Sequence, residues 1–310
     1  MEQRPLGRTG LRVSALGLGA ASLGGVYGEV DEGTAIATVH RAFELGVNVF
    51  DSSPYYGSTR AETVIGKALR TLPREAIVVM TKCGRYGQDE FDFSPARIRR
   101  SVDDSLRRLQ TDRVDVCQLH DVEFGDLDKI LDEGLATLHE LRAQGKVRHV
   151  GITGLPLAVF TRALARRAPL DTVLSYCHAT LFDDTLLPLL PALAAAGIGV
   201  INASPTAMGL LSSRGPRDWH PAPPPVAACC RAAAAACKAH GVEIAELAIQ
   251  YSCSRPGIAT TICGAASPAE IEANVRALDR NDDGALLAHA QALLQPIRGA
   301  TWPQGRPENN

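Results

Sequence analysis

The sequence has little of what marks a membrane, exported or nucleic-acid-binding protein. Aromatic residues make up 5% of the 310 residues, and no apolar run approaches the length of a membrane span. The N-terminal stretch Met1–Leu6 lacks the apolar core of a signal peptide. The net charge is −2 and no long basic block occurs, which argues against nucleic-acid or anionic-membrane partners. We therefore expect a cytoplasmic protein that binds neither membranes nor nucleic acids.

The eight cysteines also lack a recognisable pattern. They are scattered along a chain without an export signal, which favours reduced thiols over disulfides. Cys229, Cys230, Cys237 and His240 lie close together in an alanine-rich segment, but their spacing does not match a closed metal site. We expect no metal.

What the sequence does contain is a repeat of apolar strand, turn and amphipathic helix. Continuous apolar strands alternating with helices indicate a parallel sheet covered on both faces. Eight such units fit a (β/α)₈ TIM barrel. The predicted strands are 15–19, 47–52, 77–82, 114–120, 147–153, 172–177, 199–203 and 260–263. The predicted helices are 31–45, 226–241, 268–278 and those starting at 61, 95, 127, 156 and 183.

Three segments fall outside this repeat. Residues 4–14 predict a small β-hairpin that plugs the bottom of the barrel. Residues 285–310 predict an extra C-terminal helix and an irregular tail. The proline-rich stretch 212–225 is long for a loop in a compact domain, which favours a functional or mobile segment. No linker divides the chain, so we expect residues 1–310 to form a single α/β barrel domain.

Four polar residues stand at or just past the ends of predicted strands: Asp51, Tyr56, Lys82 and His120. Side chains at the C-terminal strand ends of such a barrel converge on one rim, where barrels of this type carry their active sites. Each residue alone has an ordinary structural explanation. Together, a phenol, an ammonium, a carboxylate and an imidazole predict a proton-transfer site.

A glycine motif offers a competing interpretation. Gly17-Leu18-Gly19-Ala20-Ala21-Ser22 is close to the dinucleotide-binding fingerprint, but its third glycine is Ser22 and no helix starts at the turn. Glycines that end a tight barrel strand explain the segment better.

The order of these motifs resembles that of the aldo-keto reductases. Asp51-x-x-x-x-Tyr56-Gly57, Thr81-Lys82 and Leu119-His120 match the catalytic tetrad of that superfamily, and the opening Leu6-Gly7-Arg8-Thr9-Gly10-Leu11 is typical of it. Further segments, including 83–86, 151–156, 174–178, 219–221 and 301–303, are similar to the branch that oxidises L-galactose with NAD. The resemblance runs nearly end to end, and segment 226–241 is divergent.

The resemblance implies a mechanism for the tetrad. A free phenol has a pKa of about 10 and is a poor base at neutral pH. Lys82, held by Asp51, is expected to lower the pKa of Tyr56. Tyr56 would then take a proton from the C1 hydroxyl of a sugar while hydride leaves C1 for NAD, giving a lactone. His120 would position the reacting oxygen.

The resemblance also implies the binding residues. The implied cofactor site comprises Gly19, Ala20, Asp51, Ser175, Ser204, Pro205, Met208, Gly209, Leu211, Gly264, Glu270 and Asn274. Gly264 and Glu270 occupy positions where NADP-dependent relatives carry a Lys and an Arg, which favours NAD. The implied sugar contacts are Tyr56, Tyr86, His120, Asp121, His178 and Trp302, with Glu123 a further candidate. The chain departs from the wider superfamily at Thr153-Gly154, Ser175 and Ala203, so nicotinamide contacts are not carried over from it.

Several alternatives stay open. The substrate could be L-fucose, another aldose or pyridoxal in place of L-galactose. Some aldo-keto reductase folds are instead cofactor-binding regulatory subunits of potassium channels, and a protein of that kind would bind NAD without turnover. We expect a monomer or a weak homodimer acting on a small sugar.

Overall fold

Ten strands build the core of the computed structural model, which describes residues 1–280 and 284–310. The first two form an antiparallel hairpin, and the other eight close into a parallel barrel in chain order, with the last strand pairing back to the first barrel strand. The hairpin strands are β1 (Gln3–Pro5) and β2 (Arg12–Ser14). The barrel strands are β3 (Leu16–Gly19), β4 (Val49–Asp51), β5 (Val78–Cys83), β6 (Val114–Leu119), β7 (Val147–Gly154), β8 (Thr172–Tyr176), β9 (Gly199–Ala203) and β10 (Thr260–Gly264). The predicted (β/α)₈ barrel is confirmed.

Helices surround this barrel. They are α1 (Glu32–Glu44), α2 (Arg60–Leu69), α3 (Pro95–Leu109), α4 (Leu127–Lys129), α5 (Leu135–Ala143), α6 (Leu157–Ala165), α7 (Leu190–Ala195), α8 (Pro224–Ala239), α9 (Ile244–Cys253), α10 (Pro268–Arg276) and α11 (Ala285–Leu294). Local sequence explains several helix starts. The Asp31 side chain accepts from the Thr34 amide, Ser94 caps α3 in front of Pro95, and Ser267 caps α10 in front of Pro268. Among the described residues, no helix has both the length and the apolar character needed to cross a bilayer.

The hairpin closes the bottom of the barrel, as predicted. Leu6, in the turn between β1 and β2, is fully buried and packs in one cluster with inward-facing strand residues such as Val49, Val116 and Ile201. The turn approaches the start of β9 so closely that a Cβ on Gly7 would lie 2.3 Å from the backbone nitrogen of Gly199. With φ +53 as well, this position requires glycine.

Two helix predictions were wrong in part: segment 226–241 is helical but does not take the expected place in the repeat, and the helix expected from residue 183 starts later. The alanine-rich segment 226–241 was expected to be the seventh repeat helix, but α8 packs against α11 beside the barrel. The helix that contacts β10 in that repeat is α9, whose sequence is mostly buried. The helix expected from residue 183 begins regularly only at α7, because Asp183 and Thr185 hold a buried turn around His178. A π-helical turn, Ile130–Gly134, joins α4 to α5.

Candidate active site

The ends of β4, β5 and β6 bring three of the four predicted residues together. Asp51 is the last residue of β4, Lys82 lies one residue before the end of β5, and His120 follows β6 directly. The register of the parallel strands sets their positions along the barrel axis, with Asp51 opposite Met80 and Lys82 opposite Gln118. All residues of these three strands are buried, so polar side chains at their ends meet in a largely dry rim.

Asp51 and Lys82 form a buried ion pair. Lys82 Nζ donates to Asp51 Oδ2 at 2.6 Å and to the Ser52 carbonyl oxygen at 2.9 Å. Lys82 is 1% exposed and Asp51 3% exposed. Burial raises the pKa of the Asp51 carboxyl above its ordinary value, and the Lys82 charge partly offsets this effect. The pair therefore holds the ammonium at a fixed place, as the sequence led us to expect.

Tyr56 lies beside this pair in the loop after β4. The Lys82 Nζ atom is 4.9 Å from the centroid of the Tyr56 ring, and the His120 ring stands edge-on to it at 5.7 Å between centroids. Burial, followed by the charges of Asp51 and Asp121, raises the pKa of the Tyr56 phenol well above its ordinary value. The expected lowering by Lys82 is not found in the free protein, because burial raises the Tyr56 pKa most and the charge of Asp51, the partner of Lys82, adds to the rise.

His120 is a neutral imidazole wedged between two polar groups. Its Nδ1 atom lies 3.0 Å from Ser53 Oγ, and its Nε2 atom lies 3.7 Å from Asp121 Oδ2. Burial lowers the pKa of His120 to about 3, against the opposing effect of Asp121. An uncharged ring at this place can donate one hydrogen bond but does not act as a cationic acid at neutral pH.

A second charge pair next to His120 involves Arg85, which sequence reasoning missed. Arg85 donates to Asp121 Oδ2 at 2.5 Å, and its guanidinium lies over the Tyr55 ring at 4.0 Å. Burial alone would raise the pKa of Asp121, but the charge and hydrogen bond of Arg85 hold it below its ordinary value. Asp121 has a left-handed backbone (φ 51) fixed by hydrogen bonds with Thr153 Oγ1, so its carboxylate is held in place.

A cavity of about 980 Å³ runs from this rim to the start of α10. The predicted cofactor residues that line it are Gly19, Asp51, Ser204, Pro205, Met208, Gly209, Gly264, Glu270 and Asn274. Ala20, Ser175 and Leu211 are fully buried outside its lining.

The wall of this cavity suits a phosphorylated ligand. Ser204, Met208 and Gly209 line it, and all three have a left-handed backbone with positive φ. Successive residues in such a conformation can turn a backbone amide toward an anion. The start of α10 faces the same space. The residues present therefore fit an elongated dinucleotide.

The cavity's other end is closed by the C-terminal tail. Trp302 and Gln304 line it, and Gln304 Nε2 donates to Tyr176 Oη at 2.6 Å and to Glu123 Oε1 at 3.3 Å. Glu123 is fully buried and does not line the cavity. Its main chain anchors the tail, since its carbonyl oxygen accepts from Arg306 N and Asn309 Nδ2, both at 2.9 Å.

Four predicted sugar contacts line this end, and two lie elsewhere. Those that line it are Tyr56, His120, Asp121 and Trp302. Tyr86 lies under the Arg97 guanidinium at 3.7 Å, in a separate small cavity. His178 Nδ1 lies 2.9 Å from Asp183 Oδ2 in a buried pair. These two side chains form no part of the sugar site proposed below.

The loop 212–223 crosses the cavity opening. Arg217 donates to the Tyr27 carbonyl oxygen, and the rings of Tyr27 and Trp219 lie 5.6 Å apart. Arg214 pairs with Glu270 Oε1 at 3.3 Å. Sequence reasoning identified the loop but not Tyr27, Tyr55, Arg85, Phe124, Tyr176 or Gln304, which also line the cavity. The one sequence feature that could have identified these residues as part of the cavity is their position after predicted strands or in the tail.

Known proteins resemble this chain in both sequence and fold. The Aldo/keto reductase family is matched over residues 15–284. The chain is 49% identical to L-galactose dehydrogenase of Arabidopsis thaliana over 317 aligned positions, covering 100% of this chain and 99% of the relative. It is 31% identical to D-threo-aldose 1-dehydrogenase of a Pseudomonas species, covering 86% and 89%. An aldo-keto reductase of Bacillus halodurans, solved in its holo form, superimposes with a TM-score of 0.80 at 30% identity, covering 99% of both chains.

Proposed function

Since the chain belongs to the Aldo/keto reductase family and is an oxidoreductase acting on a CH–OH group, we propose that it oxidises a cyclic aldose at C1 with NAD, preferring L-galactose. The observation that carries the proposal is the buried Lys82–Asp51 pair beside Tyr56 and His120, at the closed end of a cavity that fits a dinucleotide. The similarity to L-galactose dehydrogenase over the full length supports the choice of sugar.

Each side chain has a task in this reaction. A bound nicotinamide supplies the acceptor for the hydride that leaves C1. Tyr56 Oη takes the proton of the C1 hydroxyl, and general-base help of this kind contributes about 10²–10⁴-fold to a rate. His120 Nε2 donates a hydrogen bond to the same oxygen and fixes its position. The lost hydride and proton leave a C1 carbonyl, so the cyclic sugar becomes a lactone.

The sugar's other hydroxyls need partners at the closed end of the cavity. Asp121 and Arg85 offer an acceptor and donors that hold each other in place at 2.5 Å. Tyr176 Oη accepts a hydrogen bond from Gln304. The Tyr176 hydroxyl can therefore donate its own proton to a sugar hydroxyl. We assign these four side chains, Asp121, Arg85, Tyr176 and Gln304, as the groups that bind the sugar's other hydroxyls. A few fixed polar groups in an otherwise apolar and aromatic pocket are typical of a small-ligand site.

The test compares two adjacent tyrosines. Tyr56→Phe should reduce NAD-dependent oxidation of L-galactose by at least about 10²-fold, because it removes only the proton acceptor. NAD binding, measured by calorimetry, should be retained. Tyr55→Phe is the matched control and should keep most activity, since the Arg85 guanidinium contacts its ring face and not its hydroxyl. An inactive Tyr55→Phe with an active Tyr56→Phe would show that the base is misassigned.

A substrate panel completes the test. L-galactose, L-fucose, D-arabinose and pyridoxal are compared by kcat/KM with the unmodified protein. L-galactose should be best, with L-fucose second because it lacks only the C6 hydroxyl. Highest activity with pyridoxal would remove the protein from the sugar dehydrogenases. Tight NAD binding without turnover of any compound would favour a regulatory binding protein.

A further inference from the structure

Ser53 contacts the far nitrogen of His120 and is not used by the chemistry above. It is fully buried, lies outside the cavity lining, and places its Oγ 3.0 Å from His120 Nδ1. The same Oγ accepts a hydrogen bond from the Tyr55 amide at 3.1 Å. Ser53 thus links the imidazole to the backbone of the loop that carries Tyr56.

The hydrogen bonds around Ser53 determine which way the hydroxyl points. A buried hydroxyl needs an acceptor for its one proton. Among the described residues, the acceptor within reach of Ser53 Oγ is His120 Nδ1, since the Tyr55 amide is a donor. The Nδ1 atom therefore accepts and carries no proton.

A second observation, on the opposite side of the ring, leads to the same tautomer. His120 Nε2 faces Asp121 Oδ2 at 3.7 Å. If the proton sat on Nδ1, the Nε2 lone pair would point at a carboxylate. A proton on Nε2 turns that repulsion into attraction. The low pKa of His120 agrees, because a neutral ring carries a single N–H.

We propose that Ser53 is a positioning residue that holds His120 in the Nε2–H tautomer, so that Nε2 donates to the oxygen on C1. This inference rests on the proposed function, because it assigns a task to the same site. A histidine in the wrong tautomer presents a lone pair to that oxygen in place of a donor, and fixing the tautomer of a catalytic histidine is a known requirement in other enzymes.

The experiment combines spectroscopy with kinetics. In protein labelled with ¹⁵N-histidine, the His120 resonances, identified by their absence in His120→Gln, should show protonated Nε2 and unprotonated Nδ1. In Ser53→Ala the two shifts should move toward each other as both tautomers become populated. The kcat for L-galactose should fall by about 10²-fold with a smaller change in KM, because the lost interaction acts mainly in the transition state. Ser53→Thr keeps the hydroxyl and should restore both readouts.

The outcomes separate this proposal from the one on which it rests. A protonated Nδ1 in the unmodified protein overturns it without any variant. Wild-type shifts and kcat in Ser53→Ala, or a Thr variant that folds but restores neither readout, also overturn it. If the unmodified protein binds NAD but oxidises no sugar, the proposed function fails, while the tautomer spectrum still decides independently whether Ser53 holds His120 in the Nε2–H form.

Discussion

At the scale of single residues, the charges beside Tyr56 do not lower its pKa, although the motif led us to expect this of Lys82. Lys82 is paired at 2.6 Å with Asp51, and burial and Asp51 together raise the pKa of Tyr56. An ammonium alone lowers the pKa of a neighbouring phenol, but here the carboxylate that holds the ammonium acts in the opposite direction.

Changing either charge beside Tyr56 should shift the pH dependence of the rate in a defined direction. The rate of sugar oxidation should rise with pH as the Tyr56 phenol loses its proton. Asp51→Asn removes a negative charge that raises the Tyr56 pKa, so the rise should move to lower pH. Lys82→Met leaves Asp51 without its cation, so the rise should move to higher pH. We expect shifts of about one pH unit or more in opposite directions, measured as kcat against pH at saturating NAD.

Shifts in the same direction, or none, would contradict this electrostatic account. Circular dichroism and thermal unfolding of both variants show whether each is folded under the assay conditions. Removing one partner of a buried ion pair destabilises a protein, so the profiles are compared below the unfolding temperature of the weaker variant.

The sequence predicted which strand-end residues meet at the rim better than it predicted the side chains around them. Asp51, Lys82 and His120 lie at or just past the ends of apolar strands, and a parallel barrel brings strand ends together whatever the loop conformations. Arg85, Tyr176 and Gln304 depend on loop and tail conformations that have no such periodic signal. Tyr86 and His178 stand at equally suggestive positions, yet each turns to a local partner, Arg97 and Asp183 respectively.

At the scale of elements, the start of α10 and loop 212–223 together decide the charge of the cavity at the end that faces α10. Glu270 Oε2 accepts from the Ala266 amide at 2.8 Å, and Glu270 Oε1 pairs with Arg214 at 3.3 Å. The sequence predicted the carboxylate but not the arginine. A cation is therefore near this end, and Glu270 neutralises it.

This pairing predicts a specific way to change the cofactor preference. Glu270→Gln keeps an oxygen for the Ala266 amide but frees the Arg214 guanidinium to meet a 2′-phosphate. The kcat/KM ratio of NAD to NADP should fall by about fivefold or more, as expected from one exposed charge pair. The change should appear mainly in the KM for NADP and should weaken at high salt.

The control is the double variant. Adding Arg214→Ala to Glu270→Gln should remove the gain with NADP, because no cation remains. An unmodified protein that uses both cofactors equally, or a Glu270→Gln ratio unchanged from the parent, would refute this position for the adenosine ribose.

The periodic pattern of a sequence predicts a helix but not the element against which that helix packs. The alanine-rich segment of α8 has a strong helical pattern, which led to its assignment as a barrel helix. Nothing in that pattern specifies that α8 packs on α11, since the contact is made across a large sequence separation. The true seventh helix, α9, is buried on most of its faces and so lacks a clear polar stripe.

At the scale of the whole molecule, the C-terminal tail is tied to the barrel through one buried acid. Burial and the charge of Asp121 raise the pKa of Glu123 well above its ordinary value of 4.5. Its Oε1 atom accepts from the Leu155 amide at 3.0 Å and from Gln304, and its carbonyl oxygen holds the tail. Ionising Glu123 would place a negative charge where the tail, the barrel rim and Asp121 meet.

The sign of the resulting pH dependence follows from linkage. A raised native pKa means that Glu123 favours the folded state fully below the unfolded pKa, and that this contribution is lost as pH rises through the native pKa. His120 acts in the opposite direction. Its native pKa of about 3 lies below the ordinary 6.5, so its contribution is complete above pH 6.5 and is lost as pH falls toward 3.

Glu123→Gln should therefore remove the fall in the free energy of unfolding as pH rises. It should leave the loss of stability at low pH unchanged. Between the unfolded and native pKa values, the free energy of unfolding of the variant should gain on the parent by up to about 1.4 kcal/mol per pH unit. Urea unfolding at a series of pH values from 5 to 9 measures this difference. Glu308→Gln, which changes an exposed acid of the same tail, is the matched control and should follow the parent. If the two variants have the same slope against pH, Glu123 does not titrate differently in the folded and unfolded states. Its buried carboxyl would then hold the tail by hydrogen bonding alone.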